Sequence, residues 1–411
     1  MTIRNRWFQL VASVIAMTMI ANLQYSWTLF VRPMQQATGW KLSDIQWAFT
    51  LFILFQTWVQ PAQGFLIDRL GPRLFITAAA VLCGVGWASL GQVTTLPMLY
   101  TFYVIAGIGA ALVYGGCIGT ALKWFTTRRG FAAGVMAAGF GGGTALFVPF
   151  IASMIRHQGY RTAFLVTGII QGIVILVVAQ FLCHPPRPAA RPAAARAGSR
   201  RIGQHDYTTL EMLRAPRFYF MYAAMVMMAT GGLLMTANAG PMAASWGIPA
   251  GALAAATSFN ALANGGSRIF WGWISDRIGR ELSMGIAFTL QAICLVMVLL
   301  FGRLSGTLFT VTLILTYFTW GEIFSLFPSL VADYFGTRSA TANYGVLYSG
   351  KGVASIIGSG VAALLFERFG TWSACVYGSA ALALIAAMIA FGLHAWPASR
   401  AVPIAAPAAA K

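Results

Sequence analysis

Three charged side chains stand deep in apolar stretches: Arg268, Glu322 and Lys351. A charge at mid-membrane costs at least about 2.5–3.5 kcal/mol on insertion scales, so each is a candidate functional group. Arg268 precedes Asp276 by eight residues, which at ~1.5 Å per residue puts it roughly 12 Å in from the nearest loop. Lys351 is similarly deep in a stretch that starts near Ala340. Arginine offers a planar fork that holds a carboxylate through two parallel hydrogen bonds, and lysine offers a point charge for a second one. Two such cations facing each other repel and call for an anion. Glu322 modulates this arrangement. Ionised, it lowers the site charge from about +2 to +1, which suits a monocarboxylate; protonated, it leaves a site suited to a dianion. Two readings of Glu322 stay open: a group that couples transport to protons, or the acid of a structural salt bridge.

These groups need elements to hold them, and composition says that those elements lie in lipid. Of the 411 residues, 58% are hydrophobic and 9% are charged, against about 25% charged in soluble domains. At about 20 apolar residues per span, the chain accommodates roughly a dozen. The expected spans are 7–30, 44–67, 73–92, 96–121, 130–155, 161–183, 217–243, 250–274, 281–302, 306–332, 340–366 and 371–395. All are expected to be helices, since lipid offers the backbone no other partner. The expected fold is therefore an all-α membrane protein, with twelve transmembrane helices in two six-helix halves. Residues 1–183 form the first half, 184–216 a linker, 217–395 the second half and 396–411 a tail. The chain opens like a signal peptide at Met1–Arg6. However, the apolar stretch from Trp7 to Phe30 is too long for one and lacks a clear cleavage site, so it reads as a retained span. The linker opens His184-Pro-Pro-Arg-Pro, a flexible composition. Its end, Asp206–Leu213, reads as a short capped helix lying on the membrane surface.

The net charge of +18 does not form a basic face of the kind that binds nucleic acid. The basic residues fall between apolar segments. Nineteen lie on the side of both termini and the linker; six (Arg32, Lys41, Arg156, Arg161, Arg303 and Arg368) lie on the other. This excess predicts cytoplasmic termini in a multi-pass protein of a bacterial inner membrane. The five cysteines form no CxxC and read as packing residues. His157, His184, His205 and His394 do not cluster, and no nucleophile stands beside a base, so an enzyme reading lacks support. Gly139-Phe-Gly-Gly-Gly lies inside a span and is not followed by Lys-Ser/Thr, which argues against a nucleotide loop. No metal or other cofactor is expected. The glycines at 107, 109, 139 and 141–143 instead suit helices that approach closely and shift.

The chain repeats itself. Gly64-Phe-Leu-Ile-Asp68-Arg69-Leu-Gly71 recurs as Gly272-Trp-Ile-Ser-Asp276-Arg277-Ile-Gly279, 208 residues later. A looser echo at 211 residues matches Gly134-Val and Gly139 to Gly345-Val and Gly350. Two repeated halves around a midplane site is a known transporter plan. By these offsets Arg268 answers to Gln60 and Lys351 to Phe140, so the cations exist only in the second half.

The two Gly-x-x-x-Asp-Arg-x-Gly loops resemble the signature of the major facilitator superfamily. Asn5-Arg-Trp-Phe, Gln24-Tyr-Ser-Trp-Thr-Leu29, Glu211-Met-Leu-Arg-Ala-Pro-Arg-Phe218, Asn264-Gly-Gly-Ser-Arg268 and Phe318-Thr-Trp-Gly321 are similar to the oxalate/formate antiporter family over nearly the whole chain. The resemblance implies a secondary carrier that exchanges small carboxylates by alternating access, expected to act as a monomer on small organic anions. It implies that Arg268 and Lys351 bind the carboxylates. Gln24, Tyr25, Tyr114 and Trp320 would cage them, with Phe140, Phe324 and Tyr348 at further wall positions. It also implies that Asp68, Arg69, Asp276 and Arg277 pair across helix ends to stabilise one conformation. The chain departs from the family pattern at four places. Phe140 and Phe324 stand where tyrosines are expected, Tyr348 where a tryptophan is, and Glu322 where a glycine is. The changed wall favours a less polar or larger carboxylate, and Glu322 admits proton-coupled symport of a monocarboxylate of the lactate or pyruvate type. A signalling or structural role on the same fold is disfavoured by the paired cations and intact loops.

Overall fold

The computed structural model describes residues 5–125, 129–185, 206–336 and 339–396; of these, the side chains of 64–66, 68, 69, 122, 129–131, 133 and 341 lie outside the description. Among the described residues every regular element is a helix. The first half holds α1 (Arg6–Tyr25), α2 (Trp27–Thr38), α3 (Leu42–Trp58), α4 (Gln60–Ser89), α5 (Leu96–Trp124), α6 (Arg129–Gly142) and α7 (Val148–Ala179). A short α8 (Thr209–Arg214) precedes the second half. There follow α9 (Pro216–Ser245), α10 (Ala250–Ile278), α11 (Arg280–Met297), α12 (Gly306–Trp320), α13 (Ile323–Phe335), α14 (Ala340–Ser355), α15 (Ala362–Phe369) and α16 (Ser373–Ala395).

The chain reverses inside α4 at Gly71 (φ 74°, ψ 158°) and between α10 and α11 at Gly279 (φ 99°, ψ 154°). That backbone region is closed to residues with a Cβ. The two glycines end the two copies of the repeated loop, so the sequence repeat is also a repeat of backbone geometry. With the reversals at Gly71 and at Gly159 in α7, the helices follow the order of the expected spans. They depart from it at the end of the first span, where α2 continues past Phe30 to Thr38 and stops at a left-handed Gly39. Arg32, Gln35 and Gln36 suggest an earlier exit from lipid, but polar side chains at the interface do not oblige the helix to stop. Large apolar side chains such as Val81, Ile173 and Met388 face outward, as lipid contact requires.

Asn5, Cys183, Asp206 and Trp396 share one face, here termed the terminal face; the Arg6 guanidinium lies 5.6 Å from the Trp7 ring, Gln9 reaches the Phe181 carbonyl, and Phe220 meets Trp396. The helix expected within 206–213 forms as α8, with a reciprocal Thr208–Glu211 capping box. It is also pinned to the bundle: Tyr207 N–H donates to the Phe335 carbonyl at 2.9 Å and the Thr209 hydroxyl to Asn343 Oδ1 at 2.9 Å.

The halves meet along two seams. On one, α10 lies against α6, where a Cβ on Gly265 would stand 3.2 Å from the Ala138 carbonyl. On the other, α3 runs beside α14 and the wide turn at Ile356–Val361. There Gln46 Nε2 donates to the Ala237 carbonyl at 2.7 Å and to Asn238 Oδ1 at 3.1 Å. Ser359 Oγ donates to the Gln46 carbonyl at 2.9 Å, and Thr50 and Ser355 exchange hydroxyl-to-carbonyl bonds at 3.2 Å.

Candidate functional site

The site is assembled where helices are irregular. Gln24 and Tyr25 end α1 at the Ser26 break. Phe140 lies just before the tight turn Gly143–Leu146. Trp320 ends α12, and Glu322 lies in the interruption before α13. Lys351 precedes the wide turn at Ile356–Val361 by five residues. Interrupted helices at mid-depth expose backbone and let side chains from several elements meet.

Lys351 is fully buried. Its ammonium donates to Gln24 Oε1 at 2.9 Å, Gln56 Oε1 at 3.1 Å and the Tyr348 hydroxyl at 3.2 Å. All three of its protons are engaged, two of them by the opposite half. Arg268, 2% exposed, donates through one terminal nitrogen to the Ala137 carbonyl of α6 at 2.6 Å and through the other to Asn264 Oδ1 at 3.4 Å. Gly141 leaves the space that the guanidinium fills; a Cβ there would stand 3.2 Å from it. The ring of Phe324 bridges the two cations, 4.7 Å from the Arg268 guanidinium carbon and 5.6 Å from Lys351 Nζ.

The predicted wall residues come together as a continuous run of rings. Tyr25 meets Phe140 at 5.6 Å, Phe140 meets Tyr114 at 5.2 Å, and Tyr114 stacks on Tyr348 at 5.9 Å. Tyr348 meets Phe324 at 6.1 Å, and Phe324 meets Trp320 at 5.2 Å. Three rings come from each half. Trp320 is seated against Gly232 of α9, where only a hydrogen fits. Tyr344, which the sequence reading did not single out, extends the run at 5.6 Å from Tyr348. Five buried N–H donors around these rings have no partner among the described residues: Arg268 Nε, Trp320 Nε1, Gln24 Nε2, Gln56 Nε2 and Asn264 Nδ2.

Glu322 is fully buried, and neither carboxyl oxygen has a hydrogen-bond partner among the described residues. Lys351 is held by Gln24, Gln56 and Tyr348 instead, so the helix-to-helix salt bridge weighed from sequence does not form. Asn264 and Gln56 join the site in addition to the residues expected from sequence. They are one pair at the 208-residue offset, and the repeat was the signal that could have found them.

At the terminal face, Asp276 pairs with Arg280 at 2.7 Å, and Arg280 reaches Asp333 at the end of α13 at 3.6 Å. The Arg277 guanidinium lies instead over the Trp273 ring at 3.4 Å. Asp68 and Arg69 are on α4, and their side chains lie outside the described residues.

Lipid-facing helices around a buried, two-sided, cationic site define a multi-pass membrane transporter. The comparisons give its family. The family model for the major facilitator superfamily matches residues 11–239 and 220–408. The oxalate:formate antiporter of Oxalobacter formigenes is 38% identical over 95% of this chain and 90% of its own length. The human monocarboxylate transporter 11 is 26% identical over 57% of this chain and 48% of its own. Among solved structures, a bacterial homologue of the human lysosomal transporter Spinster superposes with a TM-score of 0.66 at 15% identity, covering 95% of each chain; it shows the shared fold. The chain belongs to the major facilitator superfamily and is a transporter rather than an enzyme.

Proposed function

We propose that this transporter exchanges small carboxylates across the membrane, in the manner that its relative's name, oxalate:formate antiporter, describes. One observation carries the reading. Two buried cations and five unpartnered N–H donors surround a single set of rings. Buried donors without acceptors cost about 1–3 kcal/mol each, and a carboxylate supplies acceptors only. In this reading Arg268 takes one carboxylate through its fork and Lys351 takes a carboxylate oxygen in place of Gln24 or Gln56. The aromatic wall excludes water, and Asp276, Arg277, Asp68 and Arg69 belong to a latch at the terminal face. The 19 basic residues on the terminal side against six opposite support cytoplasmic termini in a bacterial inner membrane. The division into 1–183, 184–216, 217–395 and 396–411 then gives two rocking bundles, a linker and a tail. The chain works as a monomer in lipid on small organic anions and needs no cofactor.

The unpartnered carboxyl of Glu322 favours a second reading, proton-coupled uptake of a monocarboxylate. Labelled oxalate uptake into proteoliposomes preloaded with oxalate, formate or nothing, with and without a pH gradient, separates the two. Uptake that needs internal anion and ignores the gradient is expected. Gradient-driven lactate or pyruvate uptake without oxalate exchange would replace the first reading by the second.

A further inference from the structure

On the face opposite the termini, α2, α7, α9 and α10 enclose a cavity of about 280 Å³ between the two halves. Its walls are mainly small and apolar, but two arginines line it, Arg32 from the first span and Arg156 from α7. Both are exposed, and among the described residues neither makes a hydrogen bond or an ion pair. No carboxylate lines the cavity. The Glu367 carboxylate on this face is already engaged, accepting from Ser43 N–H and Oγ at 2.8 Å each.

The cavity stands directly over a seal. Its floor includes Thr28 and Gly240, and Gly240 N–H donates to the Thr28 hydroxyl at 2.6 Å. Gly240 is pressed so closely on the Thr28 carbonyl that a Cβ would not fit. Arg32, Thr28 and Gln24 follow one another at four-residue spacing across the α1–α2 break, about one helical turn each. One track therefore carries, in order, a free cation, a seal, and the amide that holds Lys351. Apolar walls around an unbalanced positive pair focus the field at the mouth and raise the local concentration of anions.

We propose that this cavity is an outer anion site, where Arg32 and Arg156 hold a small carboxylate before the Thr28–Gly240 seal opens. The proposal rests on the carboxylate-exchange reading. The same chemistry would also attract the phosphate of an anionic lipid headgroup. The ligand of this site is the free carboxylate.

The test is the side on which affinity changes. Right-side-out membrane vesicles carrying the full chain are loaded with oxalate, and labelled oxalate exchange is followed while the outer or the inner concentration is varied. For the double variant R32Q/R156Q, the half-saturating concentration on the outer side should rise about three- to tenfold, the sum expected for two exposed charge contacts, and a rise on the inner side alone overturns the proposal. The value for the other side and the maximal rate should stay within about twofold, and the salt dependence at low oxalate should flatten. No change, or an equal rise on both sides, while the unsubstituted chain exchanges normally, overturns the outer site. Repeating the assay in phosphatidylcholine vesicles separates the ligands: persistence of the effect supports the carboxylate, and loss of it there but not with phosphatidylglycerol assigns the arginines to lipid and overturns the proposal. An unsubstituted chain that exchanges no carboxylate sinks the carrier reading. The outer site is then judged alone, by equilibrium binding of labelled oxalate to the purified chain, which R32Q/R156Q must weaken for the proposal to stand.

Discussion

Lys351 Nζ donates to Gln24 Oε1 at 2.9 Å, across 327 residues of chain and from one half of the transporter to the other. The contact joins the charge of the second half to an amide of the first. An anion that takes the place of either amide on the lysine therefore displaces a bond that holds the halves together.

K351Q should lose oxalate exchange by at least about a hundredfold, since removing one partner of a buried charge interaction costs ~3 kcal/mol or more. R268K should also fall, more for dicarboxylates than for monocarboxylates, because the bidentate fork is lost while the charge remains. Counterflow in proteoliposomes, with a melting curve for each variant, separates loss of function from loss of fold.

G232A should displace the Trp320 ring, since the glycine's missing side chain is the space in which that ring sits. Overpacking typically costs about 1–3 kcal/mol. The expected result is a lower melting temperature together with a raised half-saturating oxalate concentration, read by thermal unfolding and by counterflow.

E367A removes the acceptor of both Ser43 bonds at the face opposite the termini. A charge-assisted bond is worth about 1.5–3 kcal/mol, so opening at that face should become about tenfold more frequent. Maleimide labelling of A243C, a position buried at the seam, should speed up accordingly. An unchanged labelling rate would show that this contact does not hold the face shut.

E322Q should leave oxalate counterflow within about threefold of the unsubstituted rate, since the amide has nearly the same shape and the acid makes no hydrogen bond among the described residues. Uptake assayed across a pH series decides its role. A pH dependence that the substitution removes would make Glu322 a proton carrier.

Much of the arrangement was legible because membranes restrict the options. Length, apolarity and the repeated loop led to helices in two halves, and buried charges singled out Arg268 and Lys351. The nine candidate residues named from sequence adjoin one another through hydrogen bonds and ring contacts. What was not legible depends on direction around a helix. Glu322 is one turn from the Phe318 carbonyl that accepts from Trp271 at 3.0 Å, yet sequence spacing alone did not tell whether its carboxyl met a cation. Arg280 rather than Arg277 pairs with Asp276 because the reversal at Gly279 brings the first residue of α11 back against the end of α10, a return that spacing along one helix does not foretell. Gln56 is not legible because an amide carries no charge, although its repeat partner Asn264 stands four residues before Arg268.

The seam along α3 is made of rungs: Ser43 to Glu367, Gln46 to Asn238, Thr50 to Ser355 and Gln56 to Lys351. Rungs of this kind can be traded one for another. When a carboxylate oxygen takes the place of an amide oxygen on Lys351, the number of bonds is about the same before and after, and only the small surplus of charge over dipole is gained. At this contact the loaded and empty states then lie close in free energy. Such a carrier grips its cargo weakly enough to let it go on either side, and its turnover is set by how readily one acceptor replaces another.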